Sequence, residues 1–469
     1  MTGTLRVRTW RAAALAVLLA WFAAVLVLNG AGHLSIDSLI QLIDGESGVM
    51  TSFNPVFITV LFGKLAALGG TRLLVVCSSF MLLVALFAFL YGVERLRSAG
   101  VALLACALAG PIMLIYPAIV WKDVWFAHFA LLGFAVIALR QSLPRAFVEA
   151  ASLVLFAAAM LSRPNGVIVA ACGTATLAWA RWCDNNSRNG IPRRAASLLS
   201  GVAARLLVLF VLAFALSSVA RLGVQQFAAG ELSTGIRILF FYDITGMIAR
   251  EPAPDLSTLA ASGVDVDRLT RLSRSGYSAE RVDTLEPDTH SPLWSVPERI
   301  VTRQWLALVI ADPAAYLGHR ADVFSWLLGL HDQRRCIPVY VGYEDPALAA
   351  RAGLTAAPSR YNYRLYRYSL RFVNTPYFSP AAWALGSAMT LAFALARRRF
   401  DPVMIGLQVA ALAYLVAYIF IALSCDFRYA YFSVLAATVG LLWLVTGATR
   451  RTDDPLAPMP GRNGLPPRG

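Results

Sequence analysis

Long apolar runs separated by short polar hinges dominate the chain. A hydrocarbon core about 30 Å thick needs roughly 20 apolar residues of helix. Ten runs approach that length: 12–29, 72–92, 101–118, 124–139, 147–161, 166–180, 199–219, 380–396, 402–422 and 429–447. Those at 124–139, 147–161 and 166–180 are short, which predicts tilt or local bilayer thinning. The pattern predicts an all-α polytopic membrane protein of about ten transmembrane helices. It divides into a transmembrane module over 1–220, a large outer loop over 221–379, C-terminal transmembrane helices over 380–451 and a Pro/Gly/Arg-rich, disordered tail over 452–469. No internal repeat is visible.

Arginines orient the bundle. Arg6, Arg8 and Arg11 precede the first run, Arg95 and Arg97 follow the second, and Arg140 and Arg145 follow the fourth. Arg181, Arg188, Arg193 and Arg194 follow the sixth, Arg397, Arg398 and Arg399 the eighth, and Arg450 and Arg451 the tenth. All fall on one side if the N-terminus is cytoplasmic. The short opposite loops carry only Lys64, Arg72, Lys122, Arg163 and Arg428. The positive-inside rule then puts both termini in the cytoplasm, with the protein in the cytoplasmic (inner) membrane. The first run also has the basic start and short core of a signal peptide, but no clean A-x-A site follows it, so retention is expected.

Parity requires 30–71 to begin and end outside. The stretch 53–68 is apolar enough to read as a further span, but crossing there would invert every later flank. We therefore expect two interfacial helices in this loop, the first carrying Asp37 and the second Lys64. The large loop is polar over 250–300 and predicts helices at 299–311 and 313–330, joined by Asp312-Pro313 as N-cap and first helical residue. In the second of these Tyr316, Val323, Leu327 and Leu330 share a face with Arg320 nearby, a pattern suiting a helix that rests on the membrane surface. Tyr361, Tyr363, Tyr366 and Tyr368 interleave with Arg360, Arg364, Arg367 and Arg371. This reads as an anchoring belt at headgroup depth before it reads as a ligand site.

Composition narrows the class. Of 469 residues, 58% are hydrophobic and 14% charged, and mean hydropathy is +0.62. Soluble domains average about 25% charged residues. A soluble enzyme, a disordered chain and a disulfide-rich secreted module are excluded. Net charge is +14, but the arginines sit at the ends of apolar runs, which points to topology and not to nucleic acid. The six cysteines form no CxxC pair. Cys336 and Cys425 both fall outside, where an oxidising compartment permits a bridge, although two cysteines on one side are slender ground for one.

Ionisable groups at membrane edges are costly and mark candidate sites. Here they gather on the outer side: Asp37, Asp44 and Glu46 in the first loop, Lys122-Asp123 after Tyr116-Pro117, Arg163-Pro164-Asn165-Gly166, Asp243, and Asp426-Phe427-Arg428-Tyr429. Each has a plainer reading. Asp37, Gln41 and Asp44 make one polar stripe, which suits either a solvated face or a site, with Leu34, Ile36, Ile40 and Ile43 mostly toward the membrane. Lys122 and Asp123 either pair or, being adjacent on a helix, serve different partners. Arg163 is a turn residue that snorkels or a phosphate contact. Asp426 and Arg428 can pair structurally. His128 reads as a packed polar residue, and His331-Asp332 is too isolated for a metal site. Together, acidic motifs and cations at one rim suit a reaction on a phosphate-bearing lipid. A carboxylate takes a proton from an acceptor hydroxyl, and Arg and Lys stabilise the departing phosphate. No nucleotide-binding glycine loop is present.

At these residues the chain resembles the GT-C glycosyltransferases, polytopic enzymes that use polyprenyl-phosphate-linked sugars and include protein O-mannosyltransferases and the lipid A aminoarabinose transferase. The likeness rests on Asp37 soon after the first span, Asn54-Pro55 running to Lys64, a second acidic position at Asp123, and a large outer region before the last spans. It is closest to uncharacterised bacterial members with a Tyr-Pro…Trp-Lys-Asp hairpin, an Arg-Pro-Asn-Gly turn, an Asp-Pro-x-x-Tyr-Leu-x-x-Arg helix and a final Arg-Tyr. Here these are 116–123, 163–166, Asp312 to Arg320 and Arg428-Tyr429. The resemblance implies a hexosyltransferase of the cell envelope, with a polyprenyl-phosphate-linked sugar and a glycan, lipid or protein acceptor as partners, alongside membrane lipids and no nucleic acid. From the residues themselves we expect Asp37 as catalytic base ahead of Asp123, the second catalytic candidate, and Lys64, Lys122, Arg163, Asp243, Arg320, Asp426 and Arg428 as substrate and phosphate contacts. The resemblance firmly implies no cofactor. A divalent metal would lack its usual acidic partner, because Ile36-Asp37-Ser38 replaces an Asp-Glu pair and Asn54-Pro55 replaces His-Pro. Two other functions fit a many-spanned protein: an O-antigen polymerase or ligase, and a lipid or solute transporter. Charges at span ends and the lack of a repeat weigh against the transporter.

Overall fold

The computed structural model describes residues 2–51, 54–92, 98–189, 195–224, 226–227, 235–282, 293, 295–354, 359–398 and 400–446. Arg95, Arg97, Arg193, Arg194, Arg399, Arg450, Arg451 and the tail 452–469 lie outside them, as does most of 283–294.

The described residues are mostly helical. Helices α1 (Thr2–Asn29), α2 (Ile36–Ser47), α3 (Val56–Tyr91), α4 (Ser98–Ala109) and α5 (Pro111–Ile115) lead to α6 (Lys122–Ala138), α7 (Arg145–Ser162), α8 (Gly166–Asn189) and α9 (Ala195–Leu222). The large intervening region holds α10 (Gly235–Arg250), α11 (Ser257–Ala260), α12 (Val266–Gly276), α13 (Glu298–Ala311), α14 (Pro313–Leu327), α15 (Pro346–Arg351) and α16 (Arg360–Leu370). Helices α17 (Pro380–Ala396), α18 (Pro402–Ile421) and α19 (Tyr431–Thr446) follow. Two-residue strands Val49–Met50 and Gln226–Phe227 pair in parallel.

Every apolar run expected to span is helical, but 101–118 is broken into two segments at Gly110. Among the described residues seven helices, α1, α3, α7, α8, α9, α18 and the one ending at Thr446, are long and apolar enough to cross a membrane. The segments Ser98–Ala109 and Pro111–Ala118, bent by 67°, make an eighth if taken as one. Helices α6 and α17 have 17 residues each and fall just short. The architecture is that of an all-α polytopic protein.

Helix α3 is not straight. Gly69 (φ −157°, ψ 21°) and Gly70 (φ 66°, ψ −173°) leave helical geometry, so 56–68 and 71–91 are separate helical segments. The positive φ of Gly70 is a conformation a side chain disfavours. The first segment packs on α2 through Gly45 and Gly63, where a Cβ on Gly45 would meet the Thr59 carbonyl at 2.2 Å. This contact buries Gln41, which faces Thr59, and Asp44, which accepts from Thr51 N and Oγ1 at 3.1 and 2.6 Å. The polar stripe of α2 is therefore divided: Gln41 and Asp44 are structural, and Asp37 alone stays partly open. Leu34, expected toward the membrane, is buried.

The main apolar core runs through the bundle, with α6 packed on α3 and α7, and α18 on α8. A second, smaller core lies in the large region and includes Phe241, Ile244, Met247, Leu259, Leu269, Val301 and Leu308. Asp312 caps α14 as expected, accepting from Ala315 N at 2.8 Å. The face expected to meet the membrane surface is largely turned into the protein, although Leu330 stays exposed. Val323, Leu327 and Arg320 are buried, and the helix packs on α10 and α18. Arg320 can lie on this apolar face because a buried carboxylate, Asp243, compensates its charge.

Candidate functional site

Three chain segments meet to place Asp37. The residues between α1 and α2 run alongside the loop before α6 and a segment of the large region. His33 N donates to Ala118 O and Val120 N to His33 O, both at 3.0 Å. On the other side Leu34 N donates to Gly342 O at 2.9 Å and Glu344 N to Leu34 O at 3.1 Å. His33 adds a side-chain latch: Nδ1 accepts from Gly342 N at 3.1 Å, and Nε2 donates to Asn29 Oδ1 at 2.8 Å. Burial lowers the His33 imidazole to about 3, so it is neutral at ordinary pH. Helix α2 starts where the main chain leaves this ladder. Its first amide, Ile36 N, donates to Glu344 Oε2 at 2.9 Å, which satisfies one of the open donors of a helix start. Asp37 follows in the first turn, where the helix dipole favours negative charge.

The last hairpin brings the main partner. Arg428 Nη1 lies 3.2 Å from Asp37 Oδ2, and Nη2 lies 3.1 Å from Asp426 Oδ2. Asp426 also receives Arg281 Nη2 at 3.4 Å. A Cys336–Cys425 disulfide ties this hairpin to the large region across 89 residues of sequence. Main-chain bonds from Cys425 N to Glu280 O (2.8 Å) and from Val282 N to Leu423 O (2.7 Å) hold it further.

Lys122 and Asp123 serve different partners, as their adjacency on a helix requires. Lys122 Nζ bonds Asn54 Oδ1, and Asp123 pairs with Arg163. The Asp123–Arg163 pair is buried, with Asp123 only 2% exposed, whereas the Asp37 side chain keeps 40% exposure. Aromatic rings wall the cations. Arg428 stands 5.1 Å from the Trp121 centroid, and Tyr429 lies between two guanidiniums, 4.8 Å from Arg163 and 5.5 Å from Arg428. Trp121 Nε1 donates to Ser35 Oγ at 2.9 Å, which fixes that ring beside α2.

Asp37, Lys122, Arg163 and Arg428 feel one another electrostatically. Loss of water pushes the Asp37 carboxyl up, but Arg428, Lys122 and Arg163 outweigh it and hold the group below its ordinary value. Lys122 precedes the apolar run of its helix. Burial lowers its ammonium to about 8, against the pull of Asp37 and with the push of Arg163 and Arg428. The result is an ionised, accessible carboxylate at the edge of a cationic, aromatic-walled cluster.

Six of the nine singled-out residues are thus brought together: Asp37, Lys122, Asp123, Arg163, Asp426 and Arg428. Three are not. Lys64 is exposed on α3, outside this network. Asp243 and Arg320 pair with each other in a separate buried cluster, where Asp243 also meets His319 Nε2 at 3.0 Å and Trp305 Nε1 at 2.8 Å. Arg320 Nη1 donates to Ala422 O at 2.8 Å, and Tyr277 OH sits 2.7 Å from His319 Nδ1. With both groups at 1% exposure or less, this is a strut between α10, α14 and α18 rather than an open phosphate contact. His33, Glu344 and Arg281 carried no signal in the sequence, and Trp121 figured there only as part of the 116–123 motif, because each acts through partners far away in the chain. The donor set does not fit a divalent metal: among the described residues no three His, Cys, Asp or Glu side chains converge, and a guanidinium separates Asp37 from Asp426.

No protein-family model, curated protein or solved structure matches the chain.

Proposed function

We propose that the protein is an integral membrane glycosyltransferase that moves a sugar from a polyprenyl-phosphate donor to an acceptor hydroxyl on the extracytoplasmic face. The observation that carries this reading is the half-open Asp37 carboxylate set among Arg428, Lys122 and Arg163. Asp37 takes the hydroxyl proton of the acceptor as its oxygen bonds to the anomeric carbon. The bond from that carbon to the phosphate oxygen breaks, and its electron pair stays on the phosphate. Arg428 and Lys122 stabilise that charge, with Arg163 adding long-range attraction. Asp123 keeps Arg163 in place and so acts as a positioning residue, a change from its expected catalytic role. Asp426 does the same for Arg428.

The topology proposed with this function has about ten spans, both termini in the cytoplasm and the cluster outside. Two features support it. Run straight, the 36 residues of α3 would extend about 54 Å, nearly twice the hydrocarbon thickness, and a first segment lying outside the bilayer is consistent with its break at Gly69-Gly70. The Cys336–Cys425 bridge next to the cluster suits an oxidising compartment.

Binding of a polyprenyl-phosphate-linked sugar to the purified protein in nanodiscs tests the reading. Arg428→Gln should weaken binding about tenfold, the loss of one charge-assisted contact, while Arg364→Gln on the exposed face of α16 should leave it unchanged. Equal affinity in all three proteins contradicts the assignment.

A further inference from the structure

Helices α7, α8 and α9 enclose a second basic site, at the end of the bundle opposite Asp37. Three guanidiniums converge on one carboxylate oxygen, Glu149 Oε1: Arg205 Nη2 at 2.9 Å, Arg145 Nε at 3.3 Å and Arg181 Nε at 3.5 Å. Arg181 is further fixed by donating to Arg145 O at 3.1 Å, and Arg205 by donating to Gly201 O at 3.0 Å. The nearby Asp184 also attracts Arg181, but it pairs with Arg140 at 3.2 Å, so four arginines face two carboxylates. Beside this fork lies a cavity of about 130 Å³ lined by Arg145, Arg181, Arg205, Trp182 and Asn185, among others. On two of the lining residues a donor, Trp182 Nε1 and Arg205 Nε, is buried and has no hydrogen-bond partner among the described residues.

Charge repulsion among these arginines is only partly relieved by the two carboxylates, and buried N–H donors without acceptors cost free energy. Both deficits are met by the same ligand, an anion with several acceptor oxygens. Arginine forks match phosphate oxygens in particular, and basic pockets between transmembrane helices take phosphate headgroups. We propose that this cavity binds a phosphate group, carried by an anionic lipid headgroup or as free phosphate. Glu149 competes with the ligand for the arginines and so sets the affinity. The site is independent of Asp37 and its reaction.

The test uses the full chain in nanodiscs of phosphatidylcholine, with phosphatidylglycerol or inorganic phosphate as probe, and reads apparent affinity by native mass spectrometry and thermal shift. Wild type should retain phosphatidylglycerol over phosphatidylcholine, or respond to inorganic phosphate. A response to lipid alone assigns the headgroup as ligand, and a response to both assigns the phosphate itself. Arg205→Gln should weaken binding about tenfold or more. Should that variant fail to fold, two others decide. Trp182→Phe keeps the ring, removes one donor and should weaken binding several-fold. Glu149→Gln frees the arginine fork and should tighten it. No preference for either anion in wild type, or unchanged affinity in Glu149→Gln and Trp182→Phe, overturns the proposal.

Discussion

Arg428 meets Asp37 across 391 positions of sequence, Nη1 to Oδ2 at 3.2 Å, and so joins the hairpin before α19 to helix α2. The pair keeps the carboxylate ionised and holds a cation at the place where phosphate charge would develop in the proposed reaction. In the proposed reaction one residue would thereby link deprotonation and departure of the phosphate.

The buried Asp123–Arg163 pair should matter most for stability. Asp123→Asn leaves the Arg163 charge uncompensated, and breaking a buried ion pair from one side costs about 3–5 kcal/mol. The thermal midpoint in detergent should fall by several degrees. The double replacement Asp123→Leu/Arg163→Met should recover part of that loss. A single variant as stable as wild type would show that the pair is dispensable.

The Cys336–Cys425 bridge should be measurable without any activity assay. Denatured, unreduced protein should react with maleimide at four cysteines and reduced protein at six, matching the four free thiols. Cys336→Ser should destabilise the fold by about 2–4 kcal/mol and loosen the hairpin that carries Arg428. Six reactive thiols before reduction would remove the bridge from the account.

Stability should fall on acidification through His33. Its folded value of about 3 lies below the ordinary 6.5. The unfolded chain therefore binds the proton first, and the contribution present above pH 6.5 is lost as pH falls toward 3. Thermal midpoints of wild type and His33→Asn should diverge least in acid and most above pH 7. Parallel curves would mean that the His33 latch to Gly342 is not responsible.

Much of the fold was legible in sequence because burial in lipid and burial in protein both demand apolar runs. Each expected span is helical for that reason, although the break at Gly110 within 101–118 was not foreseen. Asp312-Pro313 could be read as a helix start because capping is local. The joining of segments was not legible: His33 between Ala118–Val120 and Gly342–Glu344 forms main-chain bonds that have no side-chain signature. Arg320 shows a second limit. Its place on an apolar face fits either a snorkelling cation or a buried one, and only Asp243, 77 positions away by chain number, distinguishes them. Pairing of Cys336 with Cys425 was open for the same reason.

Transfer should show a basic limb set by Lys122. With its ammonium lowered to about 8, the charge facing the donor phosphate is lost as pH rises through that value. Rates under subsaturating donor should decline above about pH 8, and Lys122→Arg should move the decline to higher pH. A flat profile to pH 10 would separate Lys122 from donor recognition.

The most direct test is single-turnover sugar transfer by protein reconstituted with polyprenyl-phosphate-linked sugars, comparing wild type with Asp37→Asn. The substitution keeps size and removes the base, so the release of polyprenyl phosphate should slow about 10²–10⁴-fold with the thermal midpoint nearly unchanged. Transfer by Asp37→Asn at the wild-type rate, or no release by wild type from any polyprenyl-phosphate-linked sugar offered with an acceptor, would contradict the central claim.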